Sequence, residues 1–418
     1  MEWILYIVIL IFALMGGPIY AVMTLVSGVA FYFADIELSA IAIEVYRIAS
    51  APTLLTIPLF TFAGYMMAES KSPERLLKLA HAALGWLPGG VAIVSLVICA
   101  FFTAFTGASG VTIIALGGLL YPMLKKENYD EDFTLGLITT SGSLGLLFPP
   151  SLPIILYGIV AKVDIDKLFL AGIIPGFLLI AVLSGYSIYK GTSIKRGVFS
   201  FEELKEGIIG ARWELPLPIL VLGGIYSGMI TPTEASAICA FYVLIMECFL
   251  YKDISFFKDI PNIIKESMSL VGAILLILCC ALGLTNYLVD EEIPLKMLAL
   301  MREMISNKYV FLLFLNVFLL GVGAMMDIFS AIIVVVPLIL PIATEFGIDP
   351  VHLAIIFLTN LEIGYITPPV GINLFISSFR FNKPVLHLYK VAIPYLFLMV
   401  FALVLITYIP WLSLVWFD

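Results

Sequence analysis

The chain has 418 residues, of which 62% are hydrophobic and only 12% charged. Soluble domains run near ~45–50% apolar and ~25% charged residues, so this composition excludes a soluble protein and indicates an all-α polytopic membrane protein. A formal charge of −8 argues against nucleic acid as a partner.

The N-terminus, MEWILYIV, lacks the basic region of a secretion signal and is kept as part of the first span. Apolar runs predict spans at 2–15 and 17–33, followed by the short amphipathic stretch ELSAIAIEVYR at 37–47. A span at 51–69 comes next, then two apolar legs at 91–106 and 110–124 that turn at TGASG. An interrupted span covers 133–161 and a continuous one 168–189. The longest polar stretch, about 190–214, suits a loop with a short surface helix. The same order then recurs. Spans at 214–230 and 233–251 precede the amphipathic SFFKDIPNIIKE at 255–266 and a span at 267–289. Legs at 309–323 and 328–344 turn at GAMMD, and an interrupted span at 351–379 leads to a last span at 390–413. Cys99, Cys239, Cys248, Cys279 and Cys280 all lie in apolar segments without a C-x-x-C pair and read as small core residues.

The recurrence has a register. GLLFPP at 145–150 matches GYITPP at 364–369, an offset of 219 that also relates Pro122 to Pro341 and Asp130 to Asp349. Residues 1–195 and 196–418 are therefore two repeats of one plan. The paired legs, about 14–17 residues each, are short for a span and read as re-entrant helical hairpins. Each repeat then has five transmembrane crossings, an odd number, so the two repeats are inverted. On this topology sixteen of the 22 lysines and arginines share one side, against Arg47, Lys162, Lys167, Lys296, Arg302 and Lys308 on the other. The positive-inside rule makes the first side cytoplasmic and both termini periplasmic. The first hairpin enters from the cytoplasm and the second from outside.

A proline inside a helix costs about 3 kcal/mol, and lipid offers the freed backbone groups no water. Two such breaks in one register mark a site, and inverted repeats with broken helices and hairpins point to a secondary transporter with its site at the midplane. One cluster pairs TGASG with TTSGSLGLLFPPS (139–151), and the other pairs GVGAMMD (321–327) with TNLEIGYITPPVGIN (359–373). Both combine glycines, hydroxyls and unwound carbonyls, the hard oxygen ligands sodium accepts, with half-helix C-termini favouring a cation and N-termini an anion. Pro150 and Pro369 suit the first turn of the resumed helices. Asp327 caps the outgoing leg or helps hold sodium. Glu362, in the second broken helix, is read as a cavity-facing or hairpin-paired carboxylate and joins the candidate substrate positions. Glu234 follows Thr231 and Thr233 in TPTEAS and reads as a capping residue. Neither cluster contains a lysine or arginine, so helix N-termini, hydroxyls and bound sodium would balance an anionic substrate.

The stretches FTAFTGASGVTIIALGGLLYP, GLLFPPSLPIILYG, TPTEAS and DPVHLAIIFLTNLEIGYITPPVGINLF resemble the large membrane subunit of tripartite ATP-independent periplasmic (TRAP) transporters, along nearly the whole chain. The resemblance implies an elevator-type transporter of the bacterial inner membrane, driven by two or more sodium ions and taking up small organic carboxylates. It implies two partners, a small four-helix membrane subunit and a periplasmic substrate-binding protein, besides the membrane lipid. The chain begins at the first span and so looks like the unfused form, served by a separately encoded small subunit. Carried over by position, one sodium site falls on Ser109, Gly110 and the loop from Ser141 through Gly145 to Pro149. The other falls on Gly323, Asp327 and the loop from Gly364 through Thr367 to Pro368. Substrate would lie between the tips near Thr106, Ser143, Ser151, Thr367 and Asn373.

Two alternatives have footholds. GASG at 107–110 fits the G-x-S-G pattern of rhomboid intramembrane proteases, with His81, His352 or His387 as partner of Ser109. A stand-alone sodium/dicarboxylate symporter of the same superfamily would need no binding protein. There is no H-E-x-x-H and no P-loop, so zinc proteolysis and ATP hydrolysis lack residues.

Overall fold

The computed structural model describes residues 2–15, 17–33, 52–191, 199–291 and 307–417, with isolated positions 37, 39, 43, 46 and 296. Most of the amphipathic stretch at 37–47 therefore lies outside the described residues, as do Arg47, Lys195, Arg196 and Arg302. Among the described residues the regular structure is helical throughout.

In the first half, α1 (Glu2–Leu14) and α2 (Ile19–Phe33) pack against each other across a turn at the predicted split. A 3-10 turn (Pro52–Leu55) leads into α3 (Thr56–Glu69), followed by α4 (Ser72–Leu84). Helices α5 (Gly90–Thr106) and α6 (Ser109–Lys126) form the first hairpin. The broken helix comprises α7 (Glu131–Ser141) and α8 (Leu152–Ala161), and α9 (Ile165–Gly191) closes the half. After α10 (Phe201–Gly210) come α11 (Pro216–Tyr226) and α12 (Pro232–Leu250), which both contain π-helical turns. Then follow α13 (Ile260–Asp290), hairpin helices α14 (Lys308–Met325) and α15 (Ile328–Glu345), and the broken pair α16 (Pro350–Gly364) and α17 (Ile372–Phe381). The chain closes with α18 (Val385–Tyr408) and the short α19 (Trp411–Leu414).

Among the described residues six helices (α9, α12, α13, α14, α15 and α18) are long and apolar enough to cross a membrane, and seven spans result if the bent α7–α8 pair counts as one. Their burial is one-sided. On α18, Ile393, Phe397, Phe401 and Val404 recur at helical spacing and are exposed, while Tyr395, Met399, Leu403 and Ile406 on the opposite face are buried. An exposed apolar stripe of that length is stable against lipid rather than water. By contrast, α16 is buried from Val351 to Gly364 and stands at the centre of the bundle.

The halves meet in matching pairs. Helix α3 packs on α12 as α2 packs on α13, and α3 and α13 also touch, giving a four-helix frame. In the remaining core α6 packs on α17 as α15 packs on α8, and α7 on α18 as α16 on α9.

Several boundaries differ from expectation. The hairpin helices run 17 and 18 residues in the first half and 18 and 18 in the second, longer than the apolar runs, because helix continues through flanking polar residues such as Lys125, Lys126 and Lys308. The amphipathic stretch at 255–266 is not a separate element from Ile260 onward but the first turns of α13. Helix α4 lies outside the expected elements, although its sequence is amphipathic, with Leu76 and Ala80 buried on one face and Glu74 and Lys78 off it. The last span begins at Val385, directly after Pro384.

Helix α4 is pinned by a buried charge cluster. The Arg75 guanidinium pairs with Glu214, Glu247 and Asp253 and stacks 3.6 Å from the centre of the Tyr251 ring. Ser72 Oγ donates to Glu247 at 2.6 Å, and Tyr251 Oη donates to Glu214 at 2.6 Å. Burial opposes the charge on Arg75, but hydrogen bonds with Asp253 and Glu214 outweigh it and hold the guanidinium pKa above its usual value. The cluster ties α4 to the start of α11, through Glu214, and to the end of α12, through Glu247 and Asp253.

Candidate functional site

Both broken helices start the same way. The Asp130 carboxylate accepts from the Asp132 and Phe133 N–H groups, and that of Asp349 accepts from the Val351 and His352 N–H groups. Helix α7 ends at Ser141, a 3-10 turn covers Leu144–Leu147, and α8 resumes at Leu152 with a 43° bend. Helix α16 ends at Gly364, and α17 resumes at Ile372. The Pro149–Pro150 and Pro368–Pro369 peptide bonds are both cis. Pro150 and Pro369 therefore lie inside the breaks and not in the first turn of the resumed helices; Pro153 occupies that place in α8.

Each break is crossed at close range by the first helix of its own hairpin. A Cβ on Gly145 would lie 2.2 Å from the Ala100 carbonyl oxygen and 2.5 Å from the Ala104 nitrogen. A Cβ on Gly364 would lie 2.3 Å from the Gly323 carbonyl carbon. Gly145 and Gly364 are 219 residues apart, and so are Ala104 and Gly323, so the crossing recurs in one register. Backbone approach this close requires glycine.

Polar contacts join each tip to the breaks. Thr103 Oγ1 donates to the Gly142 carbonyl at 2.8 Å and lies 2.7 Å from Thr112 Oγ1. In the second half the Val370 and Gly371 N–H groups both donate to the Ala324 carbonyl at 3.2 Å. The Ile328 N–H donates to Tyr365 Oη at 2.9 Å. One chain crosses between the halves: Ser109 Oγ donates to Asn373 Oδ1 at 2.7 Å, and Asn373 Nδ2 donates to the Thr139 carbonyl at 3.2 Å. Thr139 Oγ1 then meets Ser377 Oγ at 2.8 Å.

The structure thus brings Ser109 together with Asn373, and Gly323 with Gly364. Thr106, Ser141, Ser143 and Ser151 are buried around the first break, and Gly110 is half-buried on the hairpin beside Ile376. Among the described residues no hydrogen-bond partner reaches the buried Thr140 Oγ1 and Ser151 Oγ, which leaves two unpaired hard oxygens at the first break. Among the described residues no group of three or more His, Cys, Asp and Glu side chains is arranged to hold a metal ion. The second break is more open: Thr367 is half-buried and Pro368 exposed. Asp327 caps α15, accepting from the Phe329 and Ser330 N–H groups at 3.0 Å and from Ser330 Oγ. Glu362 is fully buried and paired with no hairpin residue; its polar neighbour is the Leu147 backbone N–H of the other break. Glu234 completes a capping box with Thr231, as expected. Thr103, Thr112 and Ser377 lie outside the expected site, while Thr139 and Tyr365 fall in the two expected clusters without a role of their own; a hydroxyl every few residues along otherwise apolar helices is their shared signal.

The protease reading fails on geometry. The Ser109 hydroxyl is bonded to Asn373, His81 is exposed on α4, His352 lies 2.6 Å from Ser413 Oγ and 3.2 Å from the Thr407 carbonyl, and His387 pairs with Asp132 at 3.0 Å.

Paired broken helices crossed by hairpins inside an all-helical bundle define a polytopic membrane transporter. Residues 5–412 match the family described as "Tripartite ATP-independent periplasmic transporter, DctM component", and the chain belongs to that family of large permease subunits. It is 35% identical over 386 residues to the C4-dicarboxylate TRAP transporter large permease protein DctM of Pseudomonas aeruginosa, covering 91% of this chain and 90% of that one. It is 36% identical over 364 residues to the isethionate TRAP transporter permease protein DctMQ of Oleidesulfovibrio alaskensis, covering 85% of this chain but only 57% of that longer protein. Among solved structures, the YdaH transporter of Alcanivorax borkumensis aligns with a TM-score of 0.60 at 14% identity over 87% of this chain and 84% of that one, a likeness of fold. The named relatives are permeases and not enzymes, and so is this chain.

Proposed function

We propose that this chain is the translocating subunit of a sodium-coupled TRAP transporter for a small organic carboxylate in the bacterial inner membrane. It works with a small four-helix membrane subunit and receives substrate from a periplasmic binding protein. The observation that carries this reading is the doubled crossing, Gly145 on Ala100 and Ala104 and Gly364 on Gly323, in one 219-residue register. Two equivalent breaks, each held against a hairpin tip, suit two cation sites with a substrate between them. The matching contacts of the halves support inverted repeats at 1–195 and 196–418, with re-entrant hairpins and periplasmic termini. In this reading the frame of α2, α3, α12 and α13, on which hairpin helices α5 and α15 pack, is the scaffold past which the core slides in an elevator motion. The relatives' names cover C4-dicarboxylates, 2,3-diketo-L-gulonate, ectoine and isethionate, the first three carboxylates and the last a sulfonate, and the fused DctMQ name fits a paired membrane subunit.

The test is uptake into proteoliposomes carrying this chain and its small subunit, supplied with the loaded binding protein. Uptake is expected only under an inward sodium gradient and only with the binding protein. Equal uptake with choline replacing sodium overturns the coupling. Uptake from free substrate alone makes the chain a stand-alone symporter.

A further inference from the structure

The two breaks are backed differently. In the first half α9 lies directly on the break: a Cβ on Gly172 would sit 2.1 Å from the Leu147 carbonyl oxygen, and one on Gly176 would sit 2.7 Å from the Phe148 ring. Pro149 and Pro150 are buried beneath it. The position 219 residues after Gly172 is Val391, on α18, where a side chain rules out so close a backbone approach. The second break is accordingly open, with Pro368, Pro369 and Val370 exposed. Prolines carry no N–H, so the backbone at Pro368 and Pro369 can be held from outside only through its carbonyls. The Pro369 carbonyl accepts from Tyr389 Oη. The N–H of the same peptide unit, that of Val370, donates to the Ala324 carbonyl at 3.2 Å. One peptide is thus held between α18 and the tip of the second hairpin. The Tyr389 ring is itself fixed against the apolar cluster of Leu135, Leu374, Leu388, Val391 and Ala392. Its counterpart in the first half is Leu170, which has no hydroxyl to offer.

We propose that Tyr389 is a positioning residue for cation binding at the second break. Its hydroxyl holds the exposed Pro369–Val370 peptide against the hairpin tip, so that the carbonyls from Gly364 to Pro368 meet a sodium ion in one arrangement. Without that hydroxyl the loop samples several arrangements, and only the fraction already in the competent one binds. The first break needs no such residue, because the backbone of α9 fixes it. This deepens the sodium-coupled reading and rests on it for the identity of the ion; the tether itself does not depend on it.

Two measurements separate the tether from the ion. The first is backbone hydrogen exchange of the purified protein in choline chloride, with sodium absent. Exchange at Val370 and Gly371 is expected to be about three- to tenfold faster in Tyr389→Phe than in the wild type, with residues 141–152 of the first break unchanged. Equal exchange at Val370 and Gly371 in both proteins overturns the proposal. The second is the sodium dependence of uptake in the proteoliposomes described above, read beside Tm in choline and in sodium chloride. In Tyr389→Phe the Tm in choline is expected to stay within about 2 °C of the wild type. The half-saturating sodium concentration is expected to rise about three- to tenfold, the worth of one neutral hydrogen bond, at an unchanged maximal rate. Tyr389→Leu, which copies the first-half residue, is expected to shift it in the same direction. A Tm lowered equally in both salts, with wild-type sodium dependence, makes the contact structural only and overturns the proposal. If sodium neither stabilises the wild type nor drives its uptake, the sodium reading fails and the cation role falls with it, while the exchange result still decides the tether.

Discussion

Replacing Gly364 by alanine puts a methyl carbon 2.3 Å from the Gly323 carbonyl carbon and 2.5 Å from its Cα. Favourable carbon contacts lie near 3.5–4.0 Å, so α14 must retreat from the break by roughly 1 Å. The obstructing atoms are backbone, and no rotamer change relieves them. Overpacking of this kind costs about 1–3 kcal/mol, a drop of a few degrees in Tm. Gly145→Ala inflicts the same lesion in the other half, against the Ala100 oxygen at 2.2 Å. Gly185 and Gly272 lie inside α9 and α13 with open space where a Cβ would sit, so alanine there is neutral or stabilises by up to about 1 kcal/mol. Thermal unfolding of the four purified variants, read beside sodium-driven uptake, checks the set. Both break variants are expected to lose stability and nearly all uptake, and both controls to keep them. Wild-type Tm and uptake in Gly364→Ala would refute the close crossing as the feature that holds the break.

Ser109→Ala leaves Asn373 Oδ1 without its donor, a loss of about 1–3 kcal/mol, and is expected to raise the half-saturating sodium concentration of uptake roughly tenfold. Unchanged sodium dependence would remove this pair from the site. Arg75→Met leaves Glu214 and Glu247 buried without their countercharge and is expected to destabilise the protein by about 3–5 kcal/mol, measured as Tm and as yield of folded protein. Arg75→Lys recovers only part of this, because one ammonium cannot replace a guanidinium fork facing three carboxylates. Thr231→Ala opens the capping box of α12 and is expected to cost about 1 kcal/mol in Tm while leaving sodium affinity unaltered.

The helical class, both hairpins, both breaks and their register were legible because lipid forces apolar length and because proline and glycine punctuate it. Gly145 and Gly364 stand where the repeat placed them, and Asp130 and Asp349 both cap as their shared register implies. Helix ends were less legible. Apolar runs stop where the membrane core stops, whereas hydrogen-bonded turns continue through Lys125 or Lys308. Helix α4 carried a local amphipathic pattern, but the partners that pin it, Glu214, Glu247 and Asp253, lie about 140–180 positions away, where no local pattern reaches. For the same reason the Ser109–Asn373 contact, 264 positions long, was foreshadowed only as two residues of a shared site. For Glu362 the sequence marks a buried charge but not its surroundings: among the described residues no hydrogen-bond partner reaches its carboxylate.

The most direct test of cation binding at the breaks needs neither partner nor substrate. A ligand that binds the folded state alone raises stability by RT ln(1 + [L]/Kd), about 2.7 kcal/mol at a hundredfold excess over Kd. Thermal unfolding of the purified chain in sodium, potassium and choline chloride at equal ionic strength should show a higher Tm in sodium alone. The gain should shrink in Ser109→Ala and Gly364→Ala. The same Tm in all three salts would contradict the account.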